Sequence, residues 1–402
     1  MIVIVSIVSA LIVAAALTFP KFARSERWKA TVTPLASIIG SGFLICGPIL
    51  AREFGKAAIL AEVLLLAIAY LVGWVIRFNI VHIENIKQRI GVHDPMAWGM
   101  RAAQATLAIA YAVSVAYYLK LLAEFAMKPL AVPEGLHAAI SNGAVTLIIL
   151  IFVLLTFSGS IRKIEHAAHA TVSLKLAIIA GMLVALGLWW AMHGTTGPLP
   201  PAKIGWGSIP LLLGLLITVQ GFETSRYMGE QYDQRTRVVT MRHAQWLSSA
   251  IYIAFLALLT PFLTQASHAE GVAGILDIME LVAPAMGIFV LIGAASSQLS
   301  AAIADSIGSG GLVIEVSQKK LGVRASFMAS CALAIAVTWL TDPFSVIAWA
   351  SRAFAAYYAM QAALALWVSI RTGEGCWWKR AGFVIVGLIC VVAAAAGAPA
   401  ES

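Results

Sequence analysis

The stretch Leu35–Gly55, LASIIGSGFLICGPILAREFG, decides how this chain is read. It is apolar enough to lie in a bilayer. Yet it carries Gly40, Ser41, Gly42, Gly47 and Pro48, residues that weaken or end a helix. A helix unwound in lipid strands backbone N–H and C=O groups, which is tolerated only where they line a cavity or are buried in protein. Such residues at mid-depth therefore predict one of two things. Either the break forms part of a polar site, or the small residues let helices pack closely, as they do in lipid.

Working outward, 61% of the 402 residues are hydrophobic and 11% are charged, against about 25% charged in a soluble domain. The mean hydropathy is +0.90. Twelve apolar windows are long enough to cross a bilayer: 1–19, 33–52, 57–76, 103–126, 140–159, 168–192, 205–225, 243–265, 281–303, 324–341, 344–369 and 380–398. Their length and lack of alternation exclude barrel strands, so the class is an all-α polytopic membrane protein of 12 helices. The first window has no basic residue before it and a basic cluster after it (Lys21, Arg24, Arg27, Lys29), the reverse of a secretory signal. With that end outside, the cytoplasmic links hold 19 of the 27 Lys and Arg residues. The outer links hold Arg52, Lys56, Lys128 and Lys203. Both termini are thus predicted outside a bacterial inner membrane. The +8 net charge is an orientation signal, not a nucleic-acid footprint. Cys46, Cys331, Cys376 and Cys390 are scattered without metal spacing.

A second interrupted stretch follows five spans later, LLITVQGFETSRYMGEQYDQ, crowding Gln220, Gly221, Glu223, Thr224, Ser225 and Arg226 into mid-membrane. Paired glycine-interrupted spans at corresponding places in two halves point to a transporter built from inverted repeats, with a site where the breaks face each other.

These residues resemble a known family. Ile38–Phe43, IIGSGF, resembles the signature of the first core helix of the amino acid–polyamine–organocation (APC) superfamily. Gly221-Phe222-Glu223, with Glu230 and a basic turn (Arg235, Arg237, Arg242), is similar to its sixth helix. HATVSLKLAIIAGMLV resembles its fifth, with the lysine at Lys175. The order of Gly47-Pro48 and the absence of Asn-Pro after the sixth helix depart from the family pattern. The resemblance implies a LeuT-type 5+5 inverted repeat. Residues 1–32 would add an N-terminal span, 33–193 and 194–371 would be the repeats, and 372–402 would add a C-terminal span. It implies a secondary transporter (permease) of an amino acid or related small amine or organic ion, working by alternating access. A sensor or assembly subunit with the same fold, and an inorganic-ion transporter, stay open as alternatives.

The candidate substrate site is Gly40, Ser41, Gly42, Gln220, Gly221, Phe222 and Glu223. N–H groups freed near Ser41 and Gly42 start a half-helix whose dipole favours a carboxylate, and carbonyls opposite, near Gln220 and Gly221, suit an amino group. The alternative is that Gly40 and Gly42 only pack. Phe222 is a lid over the pocket or plain core. Glu223 meets an ammonium, carries a proton, or caps free N–H groups. Lys175 is read as two turns into its span. The resemblance implies that its ammonium takes the place of a sodium ion, with Ser296 and Ser297 as the neighbouring hydroxyls, hence coupling to protons or exchange. The competing reading is a lysine snorkelling to the surface. Arg352, grouped with Tyr357, Tyr358 and Gln361, is a candidate gate. Lys120 and Glu124 are read as an i,i+4 pair. Asp305 is read as a solvated residue near the inner end of its span, and His166 and His169 as a surface cluster in a link. No nucleophile–base set, phosphate loop or metal-ligand set is present, so neither enzyme activity nor a cofactor or metal is expected. The expected partners are lipid, a zwitterionic small molecule and the proton.

Overall fold

Helix is the only regular structure among the described residues of this chain. The computed structural model describes residues 1–19, 21, 25–40, 42–87, 91, 93–130, 132–157, 161–194, 199–269 and 271–400; of these, 85, 134, 156, 157 and 161–171 are described by their backbone. The helices are α1 (Ile2–Thr18), α2 (Glu26–Ile38), α3 (Gly42–Phe54), α4 (Ala58–Lys87), α5 (Pro95–Met127), α6 (Glu134–Phe157), α7 (Ile161–His193) and α8 (Ser208–Gly214). They continue with α9 (Gln234–Leu259), α10 (Leu263–Ser267), α11 (Ile275–Val282), α12 (Met286–Val316), α13 (Val323–Leu340), α14 (Pro343–Arg371) and α15 (Trp377–Ala396). Nine runs among the described residues are long and apolar enough to cross a membrane, with α1 a shorter apolar helix. Each of the twelve expected windows overlaps helix among the described residues. Two of them, 33–52 and 205–225, fall on helices that are broken.

Local chemistry sets the starts. Asp94, Asp233 and Asp342 cap α5, α9 and α14, accepting from Met96 N (2.8 Å), Thr236 N (2.7 Å) and Phe344 N (2.9 Å). Pro95 and Pro343 follow two of these caps at the first helical position, where a missing N–H loses nothing.

Burial sorts the spans into centre and rim. The apolar window of α5 is 78% enclosed, whereas those of α6 and α15 are 22% enclosed and so face lipid. Helix α5 packs along α12, α13 and α14. The two broken helices sit among α4, α9 and α14. Helix α1 lies along α7, close enough that a Cβ on Gly181 would stand 2.7 Å from Ser6 O. The C-terminal residues fold back onto the second broken helix. Ala398 N donates to Pro210 O (2.8 Å), and Ala398 O occupies the space that a side chain on Gly214 would need.

Candidate functional site

The first break ends α2 at Ile38, and its last carbonyls must find partners outside the helix. Ile39 N bonds to Leu35 O (2.9 Å), the Tyr252 hydroxyl donates to Ile38 O (3.0 Å), and the Lys175 ammonium donates to Ala36 O. A helix C-terminus carries the negative end of the dipole, so a cation is the partner it favours. Lys175 is 1% exposed. Helix α7 begins at Ile161, not near 168, so Lys175 stands fourteen residues, about 21 Å, along it. Its burial and its bond to Ala36 O turn the side chain into the protein. With Gly40, Phe43, Ile178 and Ser297 it lines a void of about 10 Å³, at the lower limit for a single water. Ser297 Oγ is buried with no hydrogen-bond partner among the described residues, whereas Ser296 is half-buried and does not line the void. Helix α3 restarts at Gly42; Ser41 lies outside the described residues.

The second break is longer. Helix α8 stops at Gly214, a tight turn covers Leu216–Val219, Gln220 is extended, and Gly221 takes φ +123°, a conformation that glycine alone adopts readily. Ser351 of α14 enters the gap, donating to Gly214 O (2.7 Å) and accepting from Ile217 N (2.9 Å). Thr218 O lies 2.5 Å from the same Tyr252 hydroxyl, whose single proton is shared between the two carbonyls, so one phenol ties both breaks together. Glu223 is fully buried. Its Oε2 accepts from Gly221 N (3.0 Å) and from the Tyr358 hydroxyl (2.9 Å). Gln220 Nε2 donates to the Tyr118 hydroxyl (3.0 Å). Among the described residues, Glu223 Oε1 and Gln220 Oε1 are buried acceptors with no donor.

The breaks touch. A Cβ on Gly42 would stand 2.3 Å from Thr218 Cα, and one on Gly221 would stand 2.5 Å from Ser37 Cβ. Each glycine therefore accepts the backbone of the other break, and packing is part of what Gly42 does. Gly40 backs on Ser37 O, and Phe222 is enclosed, stacked on Tyr358 at 5.5 Å.

Arg352 stands apart from this cluster. It is exposed and donates to Ala395 O (2.5 Å) at the end of α15. Tyr357, Tyr358 and Gln361 are buried. Six residues separate Arg352 from Tyr358, about 240° around the helix, so composition grouped what the helix separates. Lys120 and Glu124 do not bond each other: Lys120 donates to Thr341 O, and Glu124 accepts from Ser141 (3.3 Å). Asp305 is buried, not solvated, and accepts from Ser114 Oγ (2.5 Å). His166 and His169 lie on α7 and not in a link; their side chains are outside the described residues. Sequence reasoning passed over Tyr118, Tyr252 and Ser351, single hydroxyls inside apolar spans. It also passed over Glu62, the lone acid of the outer part of α4, which is fully buried with neither oxygen bonded among the described residues. Arg237 and Glu84 clamp α9 to the end of α4 through two bonds of 2.7 and 2.6 Å, while Arg237 also donates to Arg226 O (3.0 Å).

Comparison with known proteins follows the same lines. A family model described as APC superfamily transporter matches residues 20–397. An uncharacterized protein of Aquifex aeolicus (strain VF5) is 35% identical over 358 residues, 87% of this chain and 86% of its own length. The fold is similar to that of a Na+-coupled sialic acid symporter in a substrate-bound outward-open state (TM-score 0.52, 14% identity, covering 100% of this chain and 98% of the other). It is also similar to the Eremococcus coleocola manganese transporter (TM-score 0.52, 15% identity, covering 92% and 87%). The expected LeuT-type architecture, two broken helices within a ten-helix core and an added span at each end, is therefore the observed one.

Proposed function

The chain belongs to the APC superfamily of transporters, and on that premise we propose that it moves an amino acid, or a related small amine or organic ion, by proton-coupled or exchange transport. The observation that carries the coupling is Lys175. Its ammonium rests on the carbonyl end of the first half-helix beside Ser297, in a void too narrow for an added hydrated cation. A lysine nitrogen can hold or release a proton, so the same group can leave and regain Ala36 O during a transport cycle. The substrate reading rests on the two free acceptors, Glu223 Oε1 and Gln220 Oε1, which suit the donors of an ammonium group. The opposing carboxylate is assigned to the N–H groups opening α3 near Ser41 and Gly42. Glu223 Oε2 meanwhile holds Gly221 N, so this acid supports the break as well as facing the ligand. Phe222 is assigned as the apolar cover. The distribution of Lys and Arg among the links supports a cytoplasmic side on which neither terminus lies, so both termini are assigned to the outside of an inner membrane. Arg352, bonded to α15, serves as a brace for the outer ends of α14 and α15 rather than a gate on the substrate path.

Purified protein in proteoliposomes, given labelled amino acids and amines under an imposed proton or sodium gradient, tests this. Proton-driven uptake is expected, and Lys175→Ala should lower gradient-driven uptake at least tenfold. Sodium-dependent uptake that survives Lys175→Ala unchanged would sink the reading.

A further inference from the structure

On the side where α8 begins, the two broken helices are tied to each other. Lys56 N, just after α3, donates to Pro200 O (3.1 Å), and Lys203 N donates back to Phe54 O (3.3 Å). Between them Gly55 takes φ +57°, and a Cβ there would stand 2.0 Å from Pro201 O. The link leading into α8 is thus laid directly on the end of α3. Half-helices joined in this way move as one body when a transporter of this architecture rocks open on that side.

The chain's own tail helps to hold that body against the unbroken helices. Helix α15 ends at Ala396, where Gly397 N closes it on Ala393 O (3.0 Å). Pro399 cannot continue the helix, and it keeps Ala398 out of helical backbone. Ala398 instead lies across the end of α8. Its N–H donates to Pro210 O (2.8 Å), and its carbonyl oxygen stands 1.8 Å from where a Cβ on Gly214 would be. A Cβ on Gly397 would stand 3.4 Å from Gly214 N and Cα, so the contact is backbone on backbone, glycine against glycine. Arg352 of α14 anchors the root of the tail by donating to Ala395 O, while Ser351 beside it holds Gly214 O (2.7 Å). The end of α8 is therefore gripped between α14 and the tail. Past this contact, Pro399 and Ala400 line a cavity of about 780 Å³, with Lys120, His137, Trp339 and Phe344 on its other walls. The tail has room to move there.

We propose that residues 397–400 are a strap across α8. While the strap is down, the joined α3 and α8 are kept against α14. Its displacement into the neighbouring cavity frees both half-helices to swing and opens the central site on their side. The strap requires only a transporter that works by alternating access, and no particular substrate or coupling ion. Its test reads neither uptake nor a gradient, so its failure and that of the amino-acid or proton reading are separate results.

The test uses the full-length protein with the exposed Cys376 replaced by serine and a reporter cysteine on α14. Ile347→Cys lies one turn from Ser351 on the same helix face and is 1% exposed in the strapped state, so a water-soluble maleimide should label it slowly. Ala398→Pro deletes the N–H bonded to Pro210 O. Gly397, at φ −56° and ψ 122°, already has the extended backbone that a following proline demands. Labelling of Ile347→Cys should then quicken about fivefold, the shift that losing one hydrogen bond makes in an opening equilibrium. A second reporter, Ala365→Cys, is buried towards the other end of α14 and should label no faster. Gly214→Ala pushes Ala398 O away from the opposite side and leaves the hydrogen bonds of α15 intact. It should act likewise, and it serves where Ala398→Pro is poorly folded. Unchanged labelling of Ile347→Cys overturns the strap. So does a rise at both reporters, which would mean a loosened fold and not a released half-helix.

Discussion

The two breaks solve one problem in opposite ways. At the first, the chain stops a helix and leaves carbonyls, so it needs donors, and both that it recruits come from distant spans, Lys175 and Tyr252. At the second it leaves a mixture, Gly214 O and Thr218 O on one side and Ile217 N and Gly221 N on the other. Ser351, which both donates and accepts, and the acid Glu223 two residues from the N–H it holds, suit that mixture. A cation sits where the backbone is negative and an anion where it is positive. The comparison teaches that the charges at the two breaks, Lys175 and Glu223, are first of all partners for unwound backbone. On the proposed function, transport chemistry would use groups that the fold already requires.

The strongest way to break this comparison is to separate the two breaks. Gly221→Ala forces an alanine into φ +123° with its Cβ 2.5 Å from Ser37 Cβ, and Gly42→Ala meets Thr218 Cα at 2.3 Å. Each should lower stability by about 3 kcal/mol from strain and overpacking, read as a fall in detergent unfolding temperature. Gly143→Ala on lipid-facing α6, with open space around it, should leave that temperature unchanged or slightly raised.

Tyr252→Phe removes the one hydroxyl shared by Ile38 O and Thr218 O, leaving two buried carbonyls short of a donor. A loss of about 2 kcal/mol is expected. Ser351→Ala, which acts on the second break alone, should cost about half as much or more. Equal unfolding temperatures for Tyr252→Phe and wild type would show that the phenol does not join the breaks. Arg237→Ala releases the clamp on Glu84, whose side chain is 34% exposed and so partly hydrated once alone. About 1 kcal/mol is expected, decreasing with added salt.

The smallest effect lies outside both breaks and serves as a control. The Met96 N–H, with Arg371 beside it, holds the Asp94 carboxyl below the usual carboxylate range. A depressed carboxyl stabilises the fold above its unfolded value near pH 4 and loses that contribution as pH falls through its folded value. The small gap in unfolding temperature between wild type and Asp94→Ala should therefore narrow below about pH 4. A gap independent of pH would mean that the carboxylate charge plays no part.

Much of the fold was legible because lipid imposes a length rule and a satisfaction rule that composition exposes directly. Twelve windows, two glycine breaks and the asymmetry of Lys and Arg needed no coordinates. Lys175 and Glu223 stood out because a charge in an apolar run has few reasons to be there. Arg352, Asp305, Lys120 and Glu124 were misjudged for a different reason. Depth along a span says nothing of the direction a residue faces, and i,i+4 spacing permits a pair without requiring one. Asp305 accepts from Ser114, 191 residues away, and Lys120 donates to a carbonyl 221 residues away.

By itself the sequence determined where the backbone breaks, since only glycines and polar residues in mid-span permit the unwinding. Tertiary structure alone decided what meets each break. Lys175 lies 139 residues from Ala36, Tyr252 lies 214 from Ile38, and Ser351 lies 137 from Gly214. Satisfying a stranded carbonyl in lipid is a condition on distance in space, and no local pattern along the chain encodes it.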